Sequence, residues 1–433
     1  MKEKRTLRYS SAMPKITTQP YKGTSDWLPN EYQIQKYIFD TWREVCIRFG
    51  YKEYLTPLIE YADIYRAKSG DVKDELFTLQ DRAGRDLALR PEMTPSVTRM
   101  VAGIYKEAPK PIRLFSIAPF YRNEAPQKGR TREFWQLNAD IFGDNSIKSD
   151  LEILILGLEL MLAFNSPIGS FKLYFNSRAL IEEFFEKELQ ISEEAKQKVA
   201  RIMDKYGKME NTELQSLLQK ENLDAQKVEK AINFLEGKIA LGNSQGYSDI
   251  QFLEKSLKKL GYADYIEFRP SIIRGFEYYD GMIFEVFDLN PENPRSLFGG
   301  GRYNGLADIF GVESFPATGF APGNITTKLF LQNWNLIPDF KDKKQYYLPL
   351  LDEKNLIKTL ELTNILRRKG LNIENELAQT PLTGALRKAD KTNKDYILIL
   401  GENEITNNQI TIKDLKTGGQ QTKTLTDFLS TLS

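Results

Sequence analysis

Histidine is absent from all 433 residues. That removes the commonest general base, the usual pH switch and the commonest metal ligand together. It excludes a Ser-His-Asp or Cys-His hydrolase and any His-ligated metal centre. What remains is chemistry done by positioning and electrostatic stabilisation, with oxygen-bound Mg²⁺. Cysteine occurs once, as Cys46, which rules out a disulfide framework and a Cys-rich zinc site. Its place on an amphipathic helical pattern makes it a core filler in a reducing compartment. Long apolar runs are lacking too: the longest, residues 153 to 164, is broken by Glu159 and is too short for a bilayer. With no secretory core at the N-terminus, a cytoplasmic protein without a membrane segment is expected. Charge of one sign is also missing, since 60 Lys plus Arg face 59 Asp plus Glu, so any nucleic-acid contact must use local basic patches.

What is present is enough chain for at least two domains, each with a real core, because 41% of residues are hydrophobic. Residues 1–20 are basic, carry Ser and Thr, and show no hydrophobic period, as a mobile tail does. A first domain over 21–338 opens with a helix over 30–49, whose Ile34, Tyr37, Ile38, Trp42, Val45 and Phe49 share a face. Strands follow over 54–57, 86–90, 113–121 and 134–142, with short polar turns that imply antiparallel pairing. A charge-rich helical insertion over 177–259 interrupts this domain, and strands return over 265–268, 281–287 and 298–306. After a polar break near Pro338, residues 343–433 alternate strand and helix as a small α/β unit, ending with a hairpin through Asn407-Asn408.

The most informative segment runs from Arg122 to Gly143. Arg122, Lys128, Arg130 and Arg132 suit phosphate oxygens through forked, charge-assisted hydrogen bonds. Phe134 offers a ring face for a base, and Gln136 and Asp140 offer acceptors for an amine or a ring nitrogen. Glu124 follows Arg122 by two, the spacing that puts both on one strand face. Three further clusters stand out: Leu89-Arg-Pro-Glu-Met-Thr-Pro95, Ile273-Arg-Gly-Phe-Glu-Tyr-Tyr279 and Phe298-Gly-Gly-Gly-Arg-Tyr-Asn-Gly-Leu306.

Together, and in this order, these clusters resemble the histidyl-tRNA synthetase family, as do Ala389-Asp-Lys391 and Tyr396-Ile-Leu-Ile-Leu-Gly-Glu402 near the C-terminus. The resemblance covers nearly the whole chain after residue 20. It implies an α+β protein: a class II synthetase antiparallel sheet flanked by helices, a helical insertion, and a C-terminal α/β anticodon-binding domain. It also implies a homodimer, with Pro57 matching the proline of the class's first motif at the subunit interface. The implied reaction joins L-histidine to ATP as histidyl-adenylate, with Mg²⁺ carried on the ATP, and then moves the histidyl group to the 3′ end of tRNA(His).

By the same resemblance, Arg122 and Arg274 are the catalytic cations, and Arg122, Glu124, Arg130, Arg132 and Phe134 bind ATP. Glu92, Thr94 and Gln136 hold the α-amino group, while Asp140 and Tyr279, with Tyr278 beside it, receive the imidazole. Many relatives carry glutamate where this chain has Asp140. Gln127 and Arg130 fall where the family meets the tRNA acceptor end. The third motif departs from the pattern, because Thr326 occupies the position of an arginine over adenine, and Lys328 is off-spacing for a direct replacement. Two other readings stay open: a catalytically weakened paralogue acting as a regulatory or tRNA-sensing subunit, although regulatory relatives typically lack the anticodon-binding domain, and an RNA-binding protein with a vestigial core.

Overall fold

A computed structural model describes residues 17–67, 70–238, 244–273, 279–292, 296–340 and 344–432. The chain divides into two compact units at Ile337 and Pro338. The first begins with a helix, Pro29–Arg48, which has proline and Glu31 in its first turn and Arg48 in its last, each suited to its end of the helix dipole. It stops at Gly50, where φ is +79°, a left-handed conformation that suits glycine. Gln35, Ile38, Trp42, Val45 and Cys46 form its buried face.

Among the described residues the first unit holds β1 (Lys52–Glu53), β2 (Ile59–Tyr61), β3 (Thr78–Gln80), β4 (Asp86–Leu89), β5 (Ile112–Tyr121), β6 (Glu133–Phe142), β7 (Phe171–Ser177), β8 (Ile266–Phe268), β9 (Met282–Asp288), β10 (Ser296–Arg302) and β11 (Ala317–Phe320). Eight make one sheet in the order β1-β5-β6-β11-β10-β9-β7-β8, and β2-β4-β3 make a small separate one. The large sheet is antiparallel through its centre, as expected, and the outer pairs β1·β5 and β7·β8 run parallel. The expected strand over 54–57 is also displaced: pairing ends at Glu53 and resumes at Ile59.

Alternation along β6 divides the sheet's two faces. Leu137, Ala139 and Ile141 enter the main core with the helices Pro29–Arg48, Ile147–Leu162, Gln245–Lys259 and Asn324–Asn333. Phe134 and Phe142 point to the other face, where they join Met93, Val97, Phe120 and Tyr303. The helices after β7 pack mostly on each other around Phe184, Phe185, Leu214, Leu218 and Phe234. Gln245–Lys259 instead gives Ile250, Leu253 and Leu257 to the sheet's main core.

The second unit is a five-stranded sheet in the order β13-β12-β14-β15-β16, from β12 (Gln345–Leu348), β13 (Asn372–Asn375), β14 (Tyr396–Ile399), β15 (Gln409–Asp414) and β16 (Gln420–Thr424). The first three run parallel, joined by the helices Leu356–Arg368 and Leu382–Lys391, and the last three antiparallel. Asn407-Asn408 does not turn a hairpin: a short helix, Glu402–Thr406, ends there, and the hairpin turns between Asp414 and Gln420 with Gly418 at φ +74°.

Candidate active site

β5 and β6 form a long hairpin whose register sets Phe120 opposite Phe134, Ala118 opposite Gln136, Ser116 opposite Asn138 and Leu114 opposite Asp140. Because side chains alternate, Phe134, Gln136, Asn138 and Asp140 all stand on one face. β11 continues that face, with Gly319 opposite Asp140, and β10 adds Gly301 opposite Gly319. A Cβ on Gly319 would lie 2.0 Å from Asp140 Oδ1, and one on Gly301 would lie 2.9 Å from the Tyr279 ring. Glycine at these two places is therefore what lets Asp140 and Tyr279 lie over the sheet.

Asp140 is buried, and its Oδ1 accepts a hydrogen bond of 2.5 Å from the Tyr303 hydroxyl. Burial disfavours the ionised form and pushes the carboxyl up to about 7, with the Tyr303 hydrogen bond pulling the other way.

At the far end of the same face, cations and rings alternate. Arg90 lies over Phe120 at 5.2 Å, Phe120 stacks beside Phe134 with centroids 5.9 Å apart, and the Arg122 guanidinium lies 5.2 Å from the Phe134 ring centre. Arg90 is buried and donates to the carbonyls of Thr56 and Pro119, which ties the strand end into the core. Arg122 donates through Nε to Pro91 O at 3.1 Å, bringing the loop that bears Glu92 against the hairpin. Thr94 opens the next helix, Thr94–Ile104, and its carbonyl accepts from the Thr98 hydroxyl.

The hairpin's tip is a turn in which Gln127 and Arg130 exchange backbone hydrogen bonds of 3.0 and 2.9 Å, with Gly129 at φ +82°. Gln127, Lys128 and Arg130 are exposed there. Glu124 pairs with Arg130 at 3.4 Å. Arg122 and Glu124 do not share a strand face as their spacing suggested, because β5 ends at Tyr121 and both lie in the irregular run beyond it. Arg132 points to the N-terminal segment: it donates to the Tyr21 hydroxyl and to Lys22 O, and its own N–H is bound by Gly23 O.

Thr326, in the first turn of the helix Asn324–Asn333, donates to Leu297 O at 3.0 Å and Gly323 O at 3.1 Å. Lys328 forms a salt bridge with both oxygens of Glu31, each at 2.7 Å, and is thereby committed to the helix Pro29–Arg48. Arg274 and Tyr278 lie outside the described residues.

The structure thus brings Phe134, Gln136, Asp140 and Tyr279 to one face, seats Arg122 and the Glu92 loop at its edge, and sends Arg132 to the N-terminal segment. Sequence reasoning missed Tyr303, Gly319 and Asn138. For Asn138 the signal was there, since it lies two residues from both Gln136 and Asp140.

A large sheet with a long hairpin rich in guanidinium groups, followed by a separate small α/β unit, is the architecture expected of an aminoacyl-tRNA synthetase. Comparison with known proteins narrows this. Residues 23–323 match the family model described as Histidyl-tRNA synthetase, and residues 345–433 match the one described as Anticodon binding domain. A histidine–tRNA ligase of Leptospira biflexa is 38% identical over 424 residues, covering 96% of this chain and 97% of that protein. One from Thermococcus kodakarensis is 32% identical over 418 residues, covering 92% and 94%. The histidyl-tRNA synthetase structure from Nostoc sp. PCC 7120 shares the fold with a TM-score of 0.79 at 23% identity, covering 96% of this chain and 99% of that one. A Bacillus halodurans structure, described as an ATP phosphoribosyltransferase regulatory subunit/histidyl-tRNA synthetase, gives 0.74 at 22% identity, covering 89% and 99%. The chain belongs to the histidyl-tRNA synthetase family.

Proposed function

We propose that the protein is a histidine–tRNA ligase working in two steps on the face described above. In the first, a carboxylate oxygen of L-histidine attacks the α-phosphorus of ATP, the bond to the bridging oxygen breaks, and pyrophosphate leaves. In the second, a hydroxyl of the terminal ribose of tRNA(His) attacks the acyl carbon, the bond from that carbon to the phosphate oxygen breaks, and AMP leaves with the hydroxyl proton passing to its phosphate. Neither step demands imidazole from the protein, because the cost lies in alignment and in accumulated negative charge.

The observation that carries the reading is the shared face of Phe134, Gln136 and Asp140, with Arg122 at its edge. Phe134 offers its ring to adenine, and Arg122 with Glu124 and Arg130 addresses the phosphates. Gln136, Glu92 and Thr94 hold the substrate's ammonium, while Asp140, Tyr279 and Tyr278 take its imidazole. Arg274 neutralises the substrate carboxylate and α-phosphate. Gln127 and Arg130, exposed at the hairpin tip, face the tRNA acceptor end. Arg132 acts at one remove, tying the hairpin to residues 21–23. Mg²⁺ would be carried on the ATP phosphates, whose charge it would screen.

The reading includes a homodimer in the cytoplasm. Leu55, Ile59 and Tyr61, beside Pro57, are 69%, 44% and 55% exposed, a concentration of apolar surface that a second copy would cover. Sedimentation of the full chain should give twice the monomer mass.

The weakened-paralogue reading draws on Thr326 and on the fold shared with the Bacillus halodurans protein; against it stands the intact match over 345–433. ATP–pyrophosphate exchange with a panel of amino acids separates the two. Histidine alone should stimulate exchange, and stimulation by none, or by another amino acid, would overturn the proposal. Arg274→Ala should cripple exchange while leaving tRNA affinity nearly unchanged.

A further inference from the structure

Beneath the pocket lies a row of polar groups that the roles above do not use. β1 runs parallel to β5 with Lys52 opposite Leu114 and Glu53 opposite Phe115, so the next residue, Tyr54, comes level with Ser116. The Tyr54 N–H donates to Phe115 O at 2.9 Å, which holds it there. Ser116 in turn faces Asn138 across β5·β6, and Asn138 stands between Gln136 and Asp140 on the pocket face.

The Tyr54 hydroxyl, the Ser116 hydroxyl and the Asn138 side-chain nitrogen are each shut off from solvent, and none has a hydrogen-bond partner in the protein. Five side-chain atoms among the described residues share that condition, and three of them fall in this one row. Isolated orphans are tolerated singly, but three on neighbouring register positions of one face would be strongly destabilising if dry. Ordered water resolves the cost, because a buried water needs two to four polar partners and this row provides them.

We propose that Tyr54, Ser116 and Asn138 hold ordered water against Asp140, and that this row positions the Asp140 carboxylate for the substrate's imidazole. They are positioning residues, and the proposal rests on the reading of this face as the histidine pocket. The other titratable groups around Asp140 among the described residues are Tyr303, its direct donor, Arg90 behind Tyr54, and Tyr279 over Gly301. The adjoining strand partners, Leu114 and Gly319, carry no charge. Burial favours the neutral carboxyl, and water donating from the row offsets part of that penalty for the ionised form that accepts the imidazole N–H.

Tyr54→Phe and Ser116→Ala each remove one oxygen and keep the shape, so folding is preserved. Two measurements on the full chain decide the matter. A high-resolution crystal structure of the wild type should show water within hydrogen-bond reach of Tyr54, Ser116 and Asn138. In pyrophosphate exchange, the double variant should raise the KM for histidine about tenfold at neutral pH and leave the KM for ATP unchanged. The acid limb of its kcat/KM profile for histidine should move up by about one pH unit. A dry row, with the variants more heat-stable than wild type and their pH profile unmoved, overturns the proposal, since that is how unpaired polar groups in an apolar interior respond to removal. Wild-type protein that ignores histidine would instead sink the function proposed above, and the crystallographic water would still decide this one.

Discussion

The Tyr303 hydroxyl donates to Asp140 Oδ1 at 2.5 Å, joining two buried residues 163 positions apart in the sequence. The bond fixes one oxygen of the carboxylate and leaves the other for the pocket. Burial raises the carboxyl from 3.8 to about 7. The native state therefore keeps a proton that the unfolded chain has lost, and Asp140 favours folding fully below about pH 4. That contribution disappears as the pH rises through about 7. Asp140→Asn should be close to wild type in stability near pH 4 and progressively more stable toward pH 8, with an upper bound of about 4 kcal/mol from the linkage. Urea denaturation at both pH values checks this, and a difference that shrinks with rising pH would contradict it. Histidine-dependent exchange should fall in the same variant.

Gly319→Ala tests the close approach under Asp140. The new methyl would meet Asp140 Oδ1 at 2.0 Å and Ala139 O at 2.7 Å, and the second contact is with backbone in the β6·β11 ladder. Only the carboxylate can give way. We expect kcat/KM for histidine to drop at least tenfold and stability to fall by about 1–3 kcal/mol, as overpacking does. Nucleotide binding, followed by fluorescence, should hardly change.

Thr326→Arg should tighten ATP. A guanidinium over the adenine ring contributes about 0.5–2 kcal/mol, so the KM for ATP should fall roughly two- to thirtyfold. The variant also loses the hydrogen bonds to Leu297 O and Gly323 O, and a lower melting temperature should accompany the gain. An unchanged KM would place the adenine elsewhere than against this turn.

Arg302 anchors β10 to the helix Ile147–Leu162. Its Nε donates to both oxygens of Asp150 at 3.1 and 3.0 Å, and its Nη2 to Ser149 Oγ at 2.7 Å, all in the interior. Arg302→Met strands a buried carboxylate and should cost about 3–5 kcal/mol. Replacing Asp150 by Leu in the same chain should recover most of that, as measured by chemical denaturation.

A chain without histidine can be completed when its own substrate is scarce. Under histidine starvation its synthesis should hold up relative to histidine-containing proteins of similar length, as pulse labelling would show. An equal decline would reject the idea.

Much of the site could be read along single segments. The alternation Phe134, Gln136, Asp140 follows from strand geometry, and the tip at Gln127 to Arg130 follows from Gly129 between polar neighbours. What escaped depended on partners far away. Spacing alone set Lys328 aside as a direct replacement for the third-motif arginine, but what holds it, Glu31, 297 positions earlier, is visible only in the fold. Arg132 stands among the cations expected at the phosphates, and the sequence gives no sign that its guanidinium also meets Tyr21, 111 positions earlier, and the Glu124 carbonyl. Tyr54 and Ser116 carried no signal, because a hydroxyl on a strand becomes notable only when its neighbours leave it unpaired.

From its residue types alone this chain was committed to chemistry without protein imidazole, to a fold without a disulfide of its own, and to a segment rich in guanidinium groups. Those are properties of side chains, and they persist in any fold. Whether a carboxyl titrates near 4 or near 7, which cation stays free, and where polar groups are sealed from water were decided only when distant strands closed over one another. Desolvation is a property of an enclosure, and the enclosure around Asp140 is assembled from β5, β6, β11 and the turn at Tyr303, which no local stretch of sequence contains.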